Sequence, residues 1–147
     1  MTAAPAVVVH SAAQAGAALA AAGPRGVVLL SAEAAAASLG PAWFRALVLA
    51  AAASHPSARW DAVLDCGAAP GLALAAWRCG FRAVVLDPGC AAHARLADLA
   101  RRSGGVVLAA RPVALDLARL DLRRPGGHRL LAQWLSVTPD DTRGTTG

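Results

Sequence analysis

The 147 residues predict an α/β domain of five βα units on a mostly parallel sheet with helices on both faces. Three observations carry that reading. Short continuous runs of β-branched and other apolar residues recur along the chain, as strands buried on both faces of a parallel sheet require. Between them lie Ala- and Leu-rich stretches of helical length, bounded by Ser, Gly and Pro. The alternation also repeats. A shift of 57 residues lays Gly23-Pro24-Arg25-Gly26-Val27-Val28-Leu29 on Gly80-Phe81-Arg82-Ala83-Val84-Val85-Leu86, identical at five of seven positions.

In chain order, the first strand is read at Ala6–Val9. Ser11 and Gln14 form a capping-box pattern that opens a helix, and Gly23 closes it. Val27–Leu30 is the second strand. A longer crossover follows, split by Gly40-Pro41 into a short helix and a longer one over Ala42–Ala53. Ala62–Asp65 is the third strand, and Pro70 sits near the first turn of the next helix, which ends at Gly80. Ala83–Leu86 is the fourth strand, and Pro88-Gly89 leads into a helix over Cys90–Arg102. Val106–Ala109 is the fifth. Beyond Arg111 the pattern changes: Pro112–Leu122 holds Leu115-Asp116-Leu117 and Leu120-Asp121-Leu122, Pro125-Gly126-Gly127 is a turn, and His128–Leu135 is an amphipathic helix. The chain thus divides into one α/β domain over 1–125, a docking helix over 126–137 and a polar tail over 138–147.

Right-handed crossovers leave two arrangements. One is an open flavodoxin- or Rossmann-like three-layer sheet, with strand order 2-1-3-4-5. The alternative is a partial (βα) barrel, with sequential order and strong curvature.

Composition removes several chemistries. The chain has 40 Ala, and no Lys, Ile, Asn or Tyr, so all 14 basic residues are Arg. This is the bias of a very GC-rich, bacterial-type genome. It leaves no lysine for a Schiff base or a P-loop, and no phenol as a general acid. The net charge of +5 resembles a nucleic-acid signal. The arginines are nonetheless spread along the sequence and do not interleave with aromatics, which disfavours a nucleic-acid partner. Cys66, Cys79 and Cys90 have neither C-x-x-C nor zinc-finger spacing, so no metal site is expected, and free thiols fit a cytoplasmic location. Thr2–Pro24 lacks the basic start of a signal peptide, and no run has the length of a membrane helix.

Ligands of open α/β sheets bind outside the carboxyl ends of the strands. The residues there are the candidates: His10, Ser31, Asp65, the Gly67–Gly71 loop, Asp87 with Gly89, and Arg111. A histidine, two carboxylates and a guanidinium at one edge suit a small polar or anionic ligand. Ser31 and Asp87 also suit helix caps, and Asp65 suits the amides of the loop that follows it.

Val63-Leu64-Asp65-Cys66-Gly67-Ala68-Ala69-Pro70-Gly71 resembles motif I of Rossmann-like S-adenosylmethionine-dependent methyltransferases. The resemblance implies that Asp65, Gly67 and Gly71 approach the cofactor and that Asp87, 20 residues after Gly67, holds its ribose. It covers Val63–Pro88. Two βα units precede the motif, and no Asn/Asp-Pro-Pro-aromatic motif follows. Cys79–Gly89 is similar to a strand and turn of barrels of the 2-keto-3-deoxy-phosphogluconate aldolase type. There the Pro-Gly turn opens a helix, which would present free amides to an anion at Gly89-Cys90 and lower the Cys90 thiol pKa. Without lysine, this resemblance implies scaffold rather than activity. The leading expectation is a binding or interaction domain, with a methyltransferase and a lysine-less barrel relative as alternatives. The residues decide neither for nor against an enzyme, name no cofactor beyond S-adenosylmethionine under the methyltransferase reading, and leave homo-oligomerisation open.

Overall fold

The computed structural model describes residues 4–137; the tail expected over 138–147 lies outside the described residues. Among the described residues there are six strands: β1 (Ala6–Val8), β2 (Val27–Leu30), β3 (Trp60–Asp65), β4 (Ala83–Val85), β5 (Val106–Leu108) and β6 (Ala114–Asp116). The helices are α1 (Ala12–Ala22), α2 (Ala35–Ser38), α3 (Pro41–Ala53), α4 (Pro70–Arg78), α5 (His93–Arg102) and α6 (Pro125–Ser136). Every strand pair is parallel, so the α/β class and the parallel sheet are as expected, with six strands in place of five. The 57-residue shift lays β1-α1-β2 on β3-α4-β4, element by element.

The helix ends follow from their residues. Ser11 Oγ accepts the Gln14 amide at 3.2 Å and caps α1. Gln14 completes the box one residue early, since its Oε1 accepts the His10 amide at 2.8 Å. Proline opens α3, α4 and α6, where its missing N–H leaves no intrahelical bond unmade. Thus α6 begins at Pro125 rather than His128, and Gly126-Gly127 form its first turn. Likewise α5 begins at His93 rather than Cys90. The intervening residues form successive turns, with the Cys90 amide on the Asp87 carbonyl and the His93 amide on that of Cys90.

The strand order is β5-β4-β3-β2-β1-β6, not 2-1-3-4-5. Each of the first four crossovers steps in the same direction, so the right-handed rule puts their helices on one face. The buried residues agree. One large cluster joins Val7, Leu29, Leu64 and Val84 to helix residues such as Leu19, Phe44, Ala73 and Leu131. The opposite face, with Val8, Val28, Leu30, Val63 and Val85, packs strand residues only.

Curvature explains how that second face stays dry. Six chain steps join Leu108 at the end of β5 to Ala114 at the start of β6 on the far edge, a reach of at most roughly 22 Å. Five strand spacings in a flat sheet span about 24 Å, before the descent from a strand end to a strand start is added. The sheet therefore curls, and its concave face packs against itself. Strands β1 to β5 lie in sequential order, with β6 added beyond β1. Phe44 stacks on Phe81 with centroids 6.0 Å apart, anchoring α3 at the entry to β4. The C-terminal helix docks: Leu131 and Leu135 are buried in the main core beside α1, and Trp134 Nε1 donates to the Ala6 carbonyl at 2.8 Å. Among the described residues no helix is long and apolar enough to cross a membrane.

Candidate functional site

Side chains alternate across a sheet, so the last residue of each strand inherits a face. Asp65 and Asp116 end β3 and β6 on the concave face, in step with Val63 and Ala114. His10 and Asp87, just past β1 and β4, continue the same alternation. These four side chains are thus on one side, and with the other candidates of the carboxyl edge they form three separate groups.

The first group is Asp65, Ser31 and Arg111. Asp65 is 3% exposed. Its Oδ1 accepts the Gly67 amide at 2.8 Å, and its Oδ2 accepts from Arg111 Nη1 at 2.6 Å. Arg111 Nη2 donates to the Ser31 carbonyl at 3.0 Å, while Ser31 Oγ accepts the Asp65 amide at 2.9 Å and donates to the Ala32 carbonyl. Ser31 is therefore a bridge between β2 and β3 rather than a helix cap. A buried carboxylate needs such partners, because an isolated charge in an apolar interior is costly. Neighbouring Cys66 is affected in turn: burial, and then the Asp65 carboxylate, push its thiol up to about 12. Gly67 turns the chain here with φ of +55°, and a Cβ on it would stand 3.3 Å from that of Ala34, in the loop after β2. Gly71 lies exposed in the first turn of α4.

The second group is Asp87 with Gly89. Asp87 Oδ1 accepts the Gly89 amide at 2.8 Å, and the Asp87 amide donates to the Gly67 carbonyl. This is a side-chain turn, not a helix cap, and the helix start expected at Gly89-Cys90 lies three residues further on. The anion site and the activated Cys90 expected there lose their helix terminus.

The third group is His10 with Asp116. His10 Nε2 lies 2.7 Å from Asp116 Oδ1, with both side chains 36% exposed. Burial works to raise the Asp116 carboxyl, but the Ala118 amide, His10 and the Arg119 charge outweigh it and hold the pKa below its ordinary value. A cleft of about 770 Å³ lies between α1 and the segment after β6, lined by Gln14, Arg119, Asp121, Arg123 and His128; His10 and Asp116 are outside its lining, and Gln14, which accepts the His10 amide, connects the two.

Exposure distinguishes the three groups. Asp65 is buried with its polar atoms spent on the fold, and Asp87 closes its own turn. His10 and Asp116, at the ends of the paired strands β1 and β6, keep half-exposed side chains.

Asp116 did not emerge from the sequence pattern, because a three-residue strand behind Pro112 gives no periodicity to read. A signal was present all the same. Ala62-Val63-Leu64-Asp65, Val84-Val85-Leu86-Asp87 and Val113-Ala114-Leu115-Asp116 are three apolar runs that end in Leu-Asp. No protein-family model matches the chain, and no curated protein matches it.

Proposed function

We propose that the chain is a small ligand-binding α/β domain that takes a polar or anionic ligand at the carboxyl ends of β1 and β6. The observation that carries this reading is the half-exposed His10–Asp116 pair at the carboxyl ends of β1 and β6, with Gln14, which accepts the His10 amide, on the wall of the neighbouring cleft. Asp116 fixes the orientation of the imidazole, which leaves Nδ1 for a ligand. Arg119 on the cleft wall favours a ligand with carboxylate or phosphate oxygens, while Arg123 there is paired with Asp121. The Asp65–Arg111 pair serves the fold instead, because its polar atoms are spent on the Gly67 amide and the Ser31 carbonyl.

The test is a nuclear magnetic resonance titration of the full chain with a panel of small carboxylates, phosphate esters and polyols. The expected result is saturable shifts at His10, Gln14 and Arg119 with at least one compound, absent in His10→Ala and Asp116→Ala. Saturable shifts confined to other regions, or none with any compound, would sink the reading.

A further inference from the structure

The two ends of the sheet differ in charge. The carboxyl end carries Glu33, Asp65, Asp87 and Asp116 against Arg111 and Arg119. The opposite end receives the carboxyl termini of the helices that lead into strands (α1, α3, α4 and α5), and the strands start there. There the sequence places Arg25 before β2, Arg59 before β3, Arg82 before β4, and Arg101-Arg102 before β5. Arginines that are scattered along the chain are thereby gathered in space, because each crossover returns the chain to the same end. Helix carboxyl termini, with their partial negative charge, account for part of this placement: Arg25 Nη2 donates to the Ala21 carbonyl at the end of α1, at 3.1 Å. Arg101 and Arg102 both pair with Asp98.

Arg45 and Arg82 have no such explanation. Both line a cavity of about 440 Å³ at the entries of β3, β4 and β5, together with Trp60, Asp61, Phe81 and Gly105. Neither guanidinium makes a side-chain hydrogen bond or ion pair among the described residues. Arg45 is half-buried, and its guanidinium lies flat over Gly80. A Cβ at Gly80 would stand 3.0 to 3.1 Å from its Cζ, Nη1 and Nη2 alike. The φ of +92° at Gly80 suits glycine for the same turn. Two cations thus share one concave wall with a single carboxylate, Asp61, which has a contact of its own. The surrounding arginines add a positive field over the mouth, which raises the local concentration of anions.

We infer that this cavity is a second binding site, for a small oxyanion of the phosphate-monoester or carboxylate class, gripped between Arg45 and Arg82. The two forked guanidinia match the oxygens of such a group, and Trp60 supplies an apolar wall for its body. The site lies at the opposite end of the sheet from His10 and Asp116, so it stands or falls separately from the proposed function.

The experiment follows the arginine Nε–H resonances of the full chain during titration with inorganic phosphate and, separately, acetate, at constant ionic strength in chloride. Saturable shifts of Arg45 and Arg82 are expected with one anion or both, which also assigns the ligand class. Arg82→Ala, an exposed substitution, should weaken binding about tenfold or more, on the scale of one lost charge-assisted contact. Arg45→Gln should do the same, with the circular dichroism spectrum unchanged and His10→Ala without effect. Shifts that grow linearly and equally with chloride overturn the proposal, as does saturable binding that survives both arginine variants. Binding of a single-stranded oligonucleotide with no saturable response to phosphate or acetate also overturns it, in favour of a diffuse polyanion surface.

Discussion

Arg111 reaches Asp65 at 2.6 Å with one arm of its guanidinium and the Ser31 carbonyl at 3.0 Å with the other. One side chain on the short link between β5 and β6 thereby ties that link to the ends of two strands in the middle of the sheet. Removal of one member of a buried, hydrogen-bonded ion pair leaves the other charge stranded, at a cost of about 3–5 kcal/mol. Arg111→Ala is expected to destabilise by that order in urea unfolding. Asp65→Asn combined with Arg111→Met is expected to cost clearly less than the sum of the two single changes. Strict additivity would show that the pair does not act as a unit.

Two adjacent glycines in α6 give an internal comparison. A methyl at Gly127 would overlap the Asp121 carbonyl, a backbone group that cannot swing aside. A methyl at Gly126 would meet only Arg129 Nη2, at 3.9 Å. Gly127→Ala is expected to lower the melting temperature by several degrees and loosen α6. Gly126→Ala is expected to be neutral or to stabilise by up to about 1 kcal/mol through helix propensity. Equal effects in thermal melts would refute the packing at Asp121.

The thiols should separate by reactivity. Cys66 is buried and held at about 12, so at pH 8 it is almost wholly the inert thiol. Cys79 and Cys90 are partly exposed. Iodoacetamide followed by peptide mass spectrometry is expected to modify Cys79 and Cys90 in the native protein, and Cys66 only after denaturation. Comparable labelling of Cys66 under native conditions would contradict its burial.

The His10–Asp116 pair carries a pH signature. Folding lowers the Asp116 pKa from 3.8, so the unfolded chain takes up the proton first as acid is added. The stabilisation is complete above the unfolded value and disappears as pH falls through the lower, folded one. The stability gap between the wild type and Asp116→Asn is therefore expected to be widest above pH 3.8 and to close below it. A gap that widens in acid would reverse the sign.

Much of the architecture could be read from the residues. Val27–Leu30 and the helix termini at Ser11, Pro70 and Gly80 stand where their local chemistry puts them, because each signal acts within a few residues. Two features could not be read that way. Ala114–Asp116 is a strand only because β1 is present to pair with it. The grouping of Arg45 with Arg82 depends on how α3 lies across the entry to β4, through the contact of Phe44 with Phe81. The candidate site divides along the same line. Asp65 and Arg111 were visible as polar residues at strand ends, but their mutual bond, and the partner of His10, are products of tertiary placement.

The return of the chain to β1 sets the order in which the molecule is completed. His10 and Asp116 are 106 positions apart, and nearly every other strand neighbour is an adjacent βα unit. Four of the five strand pairings in the sheet can therefore form progressively as the polypeptide emerges, each with its own crossover. The outer edge of β1 stays uncovered throughout, an unpaired row of backbone donors and acceptors open to strands of other chains. Only the last quarter of the sequence supplies β6, and with it α6 to cover the adjoining helical layer. A chain truncated before residue 112 is expected to keep most of its sheet and to expose that edge, so that premature termination leads to aggregation rather than to simple unfolding.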